Sequence, residues 1–194
     1  MFPKAIIQNV VSTAQLLDTN KKLDLYTLAN IIKNAKYTPD RFLALIIKVK
    51  QPLQSTALVF SNGRLVCVGT KSVKESEAAI NNFVKIISEA SCLSINMRAF
   101  EIQNVVSSFA FSVHLNLQAL YDTMRIAPPQ WLARHISYNP EFFAGNVLKT
   151  QRFSCGCSLV FTTGKCIITG ARTEEEIYSV QNKIFNSILM FLKN

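Results

Sequence analysis

Four phenylalanines carry the most distinctive chemistry this chain offers, and it is not covalent. Phe42 and Phe60 form one pair and Phe143 and Phe161 another, each ring at the end of a strand-like run. A large ring outside a core is a flat apolar wedge suited to stacking on a planar partner. Two asparagines, Asn9 and Asn104, recur at matching points and bring amide donors and acceptors. Between them lie the apolar residues Val11, Leu58, Val66, Val106, Leu159 and Ile167, with the hydroxyl of Thr169 alongside. Arg41, Lys48, Lys50 and Arg64 in the first half, with Lys149, Arg152 and Lys165 in the second, flank the same runs as charges suited to phosphates.

Other chemistries are poorly supplied. Cys155-Gly156-Cys157 with Cys166 lacks the CxxC spacing of zinc sites, and only His114 and His135 offer ring nitrogens. No Gly-x-Ser-x-Gly motif is present, and neither histidine has an acidic neighbour in sequence to orient it. Glu174-Glu175-Glu176 falls at a helix start, where negative charge meets the positive end of the helix dipole. The expectation is a protein without catalytic residues, metal or cofactor.

The elements that position these residues are duplicated. Gln8-Asn9-Val10-Val11-Ser12 returns as Gln103-Asn104-Val105-Val106-Ser107, an offset of 95 residues. Tyr37-x-Pro39-x-x-Phe42 returns as Tyr138-x-Pro140-x-x-Phe143, Leu58-Val59-Phe60 as Leu159-Val160-Phe161, and Gly63 and Gly69 as Gly164 and Gly170, all offset by 101. Two tandem copies follow, residues 1–98 and 99–194, with one insertion zone in the second, Arg125 to Ser137. That zone, with Pro128-Pro129 and the single tryptophan, is expected as a surface loop with Trp131 tucked against helices.

Each copy reads the same way. An extended segment precedes a helix capped by Asp24 or Asn116, with apolar residues at i, i+3, i+4 and i+7. Strands follow over Phe42–Lys50, Thr56–Phe60 and Arg64–Gly69, the last two joined through Asn62-Gly63, a hairpin signal. Their second-copy counterparts are Ser158–Phe161 and Lys165–Gly170, joined through Thr162-Thr163-Gly164. A long helix closes each copy behind a reciprocal capping box, Ser72-x-x-Glu75 or Thr173-x-x-Glu176. In the first-copy hairpin, Ala57 and Val59 share one face and Leu58 and Phe60 the other, so both faces are apolar. A sheet with helices on one side normally turns polar residues to water on the other, so a further layer or a ligand must cover that second face.

Composition agrees with a polyanionic ligand. Of the 194 residues 49% are apolar, enough for a core, and 21 Lys and Arg against 12 Asp and Glu leave a net charge of +9. Five cysteines, an odd number, point to reduced thiols in an intracellular protein, and no apolar run reaches the roughly 18 residues of a membrane span.

At the repeated motifs, from about Ile6 to Leu192, the chain resembles the TATA-box-binding protein family. The resemblance implies an α+β fold: a pseudo-two-fold saddle of two copies, a curved antiparallel sheet of about ten strands, and four helices on the convex side. It implies a general transcription initiation factor that grips A·T-rich promoter DNA from the minor groove and nucleates a preinitiation complex, and the basic charge with no acidic tail favours a nuclear setting. Members of this very family wedge apolar side chains between base steps, unstacking costing about a few kcal/mol per step, a magnitude that belongs to the family and was not obtained from this chain. By the resemblance Asn9 and Asn104 reach base acceptors near the centre of the site, and Lys48, Arg64, Lys149 and Lys165 meet phosphates. It also implies a B-type initiation factor at Glu141 and Phe142, and a homodimer through the concave face when DNA is absent.

Departures temper the resemblance. Val68 stands where the family has Thr, and Asn139 replaces an acid. Each strand pair has an extra residue, around Leu53–Ser55 and Gln151–Cys157. The Ser72–Ala90 helix balances Lys74 and Lys85 against Glu75, Glu77 and Glu89, which leaves an A-type factor open. Two other readings stand beside the first: a related protein-interaction platform with altered DNA preference, and a base-excision or ligand-binding domain on a similar fold.

Overall fold

The computed structural model describes residues 3–18, 21–150 and 156–193. In chain order the elements are β1 (Ile6–Gln15), α1 (Leu25–Ile31), β2 (Ala35–Thr38), β3 (Phe42–Val49), β4 (Ser55–Val59), β5 (Arg64–Thr70) and α2 (Val73–Ser91). The series then repeats as β6 (Arg98–Ala110), α3 (Leu117–Ile126), β7 (Leu132–Asn139), β8 (Phe143–Thr150), β9 (Cys157–Phe161), β10 (Lys165–Ala171) and α4 (Glu174–Lys193). The class is α+β, with ten antiparallel strands and four helices.

Two compact units result, one of Asn9–Gln103 and one of the chain before Asn9 together with the chain from Asn104 onward. The opening residues count with the later half because Gln8 Nε2 donates to Ser108 Oγ at 3.0 Å and the Gln181 amide donates to the Pro3 carbonyl. In the first unit the strand order is β2-β3-β4-β5-β1, and in the second β6-β10-β9-β8-β7.

Local chemistry explains each element. The Gly63 N–H donates to the Phe60 carbonyl at 2.9 Å with Gly63 at φ +82, and Asn62 Oδ1 accepts from the Arg64 N–H at 3.0 Å. Gly164, at φ +81, bonds Phe161 in the same way, so the second hairpin forms without an asparagine. Asp24 accepts from the Tyr26 and Thr27 N–H groups and Asn116 from Ala119, capping α1 and α3 as their positions predict. The box before α4 is reciprocal: Thr173 Oγ1 accepts from the Glu176 N–H at 3.2 Å, and Glu176 Oε2 accepts from Thr173 N–H at 3.3 Å and Arg172 N–H at 2.7 Å. Before α2 it is not. Ser72 Oγ accepts from the Glu75 N–H, but the Glu75 carboxylate reaches one residue further back, to the Lys71 N–H at 2.9 Å.

The core of each unit lies between helices and one sheet face. Ile80, Phe83 and Ile87 of α2 are buried with Leu45, Ile47, Ala57, Val59, Leu65 and Cys67. Ile177, Val180, Ile184 and Ile188 of α4 are buried likewise. The alternate strand residues, Thr56, Leu58, Val66 and Val68 in one unit and Leu159, Ile167 and Thr169 in the other, stay half-buried.

The stretch Arg125–Ser137 is not a single surface loop. Helix α3 continues to Ile126 and β7 begins at Leu132, which leaves only Ala127–Trp131 between them. The caps Asp24 and Asn116 are 92 residues apart, so the second copy is 3 residues shorter before its helix (95 − 92) and 9 longer after it (101 − 92). The surplus lengthens regular elements: α3 has 10 residues against 7 in α1, and β7 has 8 against 4 in β2. Trp131 is tucked in as expected, its indole N–H donating to Ser187 Oγ on α4 at 3.0 Å.

The two cores differ in polarity. Ser12 and Ser76 share a buried hydrogen bond of 2.6 Å, but Ile177 stands in place of Ser76 in the second copy and Ser107 Oγ has no partner. Asn146 replaces Leu45; it is fully buried, its Nδ2 is 3.5 Å from the Leu117 carbonyl oxygen, and its Oδ1 is unpaired. A buried unpaired carbonyl costs roughly 1–3 kcal/mol. Asn146→Leu is therefore expected to stabilise the protein by about 1–2 kcal/mol in urea titration, and lost stability in the variant would contradict this account.

Candidate nucleic-acid interface

On the helix-free face of the first unit the strands align a continuous apolar row. Ile46 pairs with Leu58, Leu58 with Val66, and Val66 with Thr13. A second row joins Lys48, Thr56 and Val68. Val11 is half-buried on β1. The second unit repeats the first row as Val147, Leu159, Ile167 and Ser108, and pairs Cys157 with Thr169 beside it. Val106 occupies on β6 the place of Val11 on β1. The Thr13 and Ser108 hydroxyls are engaged by Gln103 and Gln8 respectively.

An aromatic pair stands beside each row, further along the same strands. Phe42 and Phe60 meet edge to face with centroids 6.4 Å apart at 67°, and Phe143 and Phe161 at 5.8 Å and 65°. Phe42 is 43% exposed and Phe143 42%, so neither first ring belongs to a core. Gly145, where the first copy has Ala44, accounts for the closer second pair: a Cβ there would lie 2.7 Å from a Phe143 ring carbon and 3.1 Å from one of Phe161.

Each asparagine is oriented by a glycine. The register of β1 on β5 shifts between Val10 and Ser12, and that of β10 on β6 between Ile168 and Ala171. Gly69 at φ +99 and Gly170 at φ +92 adopt the left-handed backbone these bulges require. Their N–H groups turn to the side chains: Gly69 donates to Asn9 Oδ1 and Gly170 to Asn104 Oδ1, both at 2.7 Å. An N–H donor identifies the amide oxygen, so each NH2 is left as the group to bind something else. Asn104 Nδ2 donates to Thr169 Oγ1 at 3.2 Å. Val68, at the equivalent place in the first unit, offers no such atom.

Arg41, Lys48, Arg64 and Lys165 are exposed, and the ion pair among the described residues is elsewhere, between Arg98 and Asp18. The side chain of Lys149, all of Arg152 and most of the Gln151–Cys157 stretch lie outside the described residues. Phe142 is 87% exposed at the turn before β8. Asn139 shapes that turn, its Oδ1 accepting from the Glu141 N–H at 3.2 Å and its carbonyl from the Phe142 N–H at 3.1 Å. Arg41 holds the place of Phe142 in the corresponding turn, its N–H donating to the Thr38 carbonyl at 3.0 Å just before β3.

Among the described residues no three His, Cys, Asp or Glu side chains cluster to hold a metal. Burial pushes the thiols of Cys67 up to about 11 and Cys166 up to about 12, so both stay protonated at neutral pH. Cys155 and the His135 side chain lie outside the described residues. No described helix is long and apolar enough to cross a membrane.

Sequence reading did not single out Ile46, Thr56, Val147 and Cys157 on this face. The signal was available in the strand parity, since Ile46 is an even number of residues from Phe42, but β3 is apolar at nearly every position and alternation alone is silent there.

Known proteins match this chain along nearly its whole length. The family model described as transcription factor TFIID, or TATA-binding protein, matches residues 4–90 and 99–191, one segment per copy. The TATA-box-binding protein of Tetrahymena thermophila is 34% identical over 194 residues, covering 100% of this chain and 71% of that one. That of Spodoptera frugiperda is 35% identical over 187 residues, covering 96% and 56%. The TATA box-binding protein-like 2 of Rattus norvegicus is 35% identical and covered over 50% of its length, so the chain spans about half of several relatives. Among solved structures, Methanococcus jannaschii TBP superposes with a TM-score of 0.75 at 29% identity, over 97% of this chain and 99% of that one. Two copies of the family's motif, the same fold and full-length similarity together place this chain in the TATA-binding protein family.

Proposed function

We propose that this chain is a nuclear transcription initiation factor that binds A·T-rich duplex DNA through the minor groove, kinks it, and nucleates an initiation complex. The observation that carries the reading is the pair of apolar rows, each flanked by a phenylalanine pair with one exposed ring and by an asparagine whose oxygen is already engaged. In the minor groove A·T and T·A pairs present only acceptors, so a reader needs apolar surface and a few donors, while G·C adds an amino donor. The asparagine NH2 groups supply the donors and the valine, leucine and isoleucine rows the surface. Phe42 and Phe143 enter base steps, backed by Phe60 and Phe161. Arg41, Lys48, Arg64, Lys149 and Lys165 neutralise phosphates, and Glu141 with Phe142 receives a B-type initiation factor.

Fluorescence anisotropy on an A·T-rich and a G·C-rich duplex of equal length, from 50 to 200 mM salt, tests this. The expected result is a preference for the A·T-rich duplex of about 1,000-fold or more, with affinity for both falling steeply as salt rises. Equal binding to both at every salt concentration overturns the reading.

A further inference from the structure

The two repeats treat one place on their helix sides differently. In the first, a cleft of about 810 Å³ opens where the end of α1 meets α2 and the last residues of β3. Ile31, Ile32, Ile47, Val49, Ile86 and Ala90 form its apolar lining, and Ile31 is 58% exposed. The volume is that of a pocket that holds a ligand.

In the second repeat the chain itself occupies the corresponding place. Ala35 pairs with Ile47 and, 101 residues on, Ile136 pairs with Leu148. Residues 32–34 alone join α1 to Ala35, whereas residues 127–135 separate α3 from Ile136. With that surplus β7 runs on beside β8 and sets Leu132 opposite Thr150, the counterpart of Val49. Trp131 reaches α4, its indole N–H donating at 3.0 Å to Ser187 Oγ, and Ser187 is the counterpart of Ile86. The first repeat has the same walls without the strand or the ring. Its β2 starts only at Ala35, so past Lys48, whose N–H donates to the Asn34 carbonyl at 3.2 Å, the edge of β3 has no strand beside it among the described residues.

The rim is basic. Lys33, Lys48 and Lys50 border the cleft against a single carboxylate, Glu89, and the ion pair among the described residues involves none of them. We propose that this cleft docks an acidic segment of a partner protein, which adds along the open edge of β3 and seats an aromatic ring against Ile86, as Trp131 is seated within the second repeat. The proposal does not rest on the DNA reading. Main-chain hydrogen bonds to a sheet edge supply affinity, and pockets for alternate side chains supply selectivity. Ile86 offers no acceptor where Ser187 takes the indole N–H, so a phenylalanine ring, with no donor to satisfy, fits better than tryptophan. Acidic flanks complement the lysines, and a basic segment is repelled by them.

The probe is a short fluorescein-labelled peptide, all aspartate and glutamate except for a central Val-Phe-Val, followed by anisotropy with the whole chain. Replacing its phenylalanine by alanine should weaken binding about tenfold or more. Ile31→Glu should weaken it about tenfold, and Lys33→Glu about threefold or more at low salt. Both residues are exposed, so the urea midpoints of the variants should match that of wild type. In carbon-13 spectra the Ile86 methyl resonances should move upfield with the phenylalanine peptide and stay in place with the alanine peptide, which reports a ring above that side chain. No binding by wild type at up to about 1 mM peptide, equal affinity for the two peptides, or unchanged binding in both variants overturns the proposal. Self-association of the chain that Ile31→Glu and Lys33→Glu abolish would also overturn it, by assigning the cleft to a second copy.

Discussion

Phe42→Ala is expected to weaken binding to an A·T-rich duplex by about 10- to 100-fold, or about 1.4 to 2.7 kcal/mol, and to abolish one of two kinks. Phe143→Ala should do the same at the other end of the site. The rings are 43% and 42% exposed and rest edge to face on Phe60 and Phe161, so truncation leaves the core intact. A melting temperature near that of wild type should accompany the loss. Bending is read by energy transfer between dyes at the duplex ends: each single variant should give an intermediate efficiency, and the double variant that of nearly straight DNA. A double variant that bends DNA as wild type does would remove the wedge from the mechanism.

Phe83→Ala should have the largest effect on stability, a loss of about 3–5 kcal/mol. Phe83 is completely buried on α2 between Ile80 and Ile87, against Leu45, Ile47 and Leu65. Its removal leaves a void that close-packed strands cannot collapse to fill. Ile184 holds the equivalent place on α4, and Ile184→Ala should cost about 2–5 kcal/mol. Urea unfolding followed by circular dichroism measures both, and a loss below about 1 kcal/mol in Phe83→Ala would mean that α2 is not anchored through this ring. Such a variant also tests the interface from behind, because the strands that present Leu58 and Val66 outward bury Ala57 and Leu65 beneath α2.

Much of this was legible in the residues. The duplicated motifs, the hairpin at Asn62-Gly63, the caps at Asp24 and Asn116, and the matched, exposed strand-end positions of Phe42 and Phe143 follow from local chemistry and repetition. The Arg125–Ser137 stretch was misjudged because the 101-residue offset after it hid the 92-residue offset at the helices, and so concealed a longer α3 and β7. The Ser72–Glu75 box was half right: a carboxylate on a flexible stem can reach either of two adjacent N–H groups, and Glu75 takes that of Lys71.

By itself the sequence determined what each residue is able to offer: periodicity, turn preference, charge, and a second apolar sheet face with matched aromatic ends. Only the tertiary structure decided which way the asparagine amides point, that Ile46 and Val147 complete the apolar rows, and that Asn146 is stranded in a core where Leu45 is at ease. The physical reason is range. Propensity and alternation act over a few neighbours, whereas a hydrogen bond from Gly69 to Asn9 or a ring seated over Gly145 depends on strand register and bulge position, which are set by residues far apart along the chain.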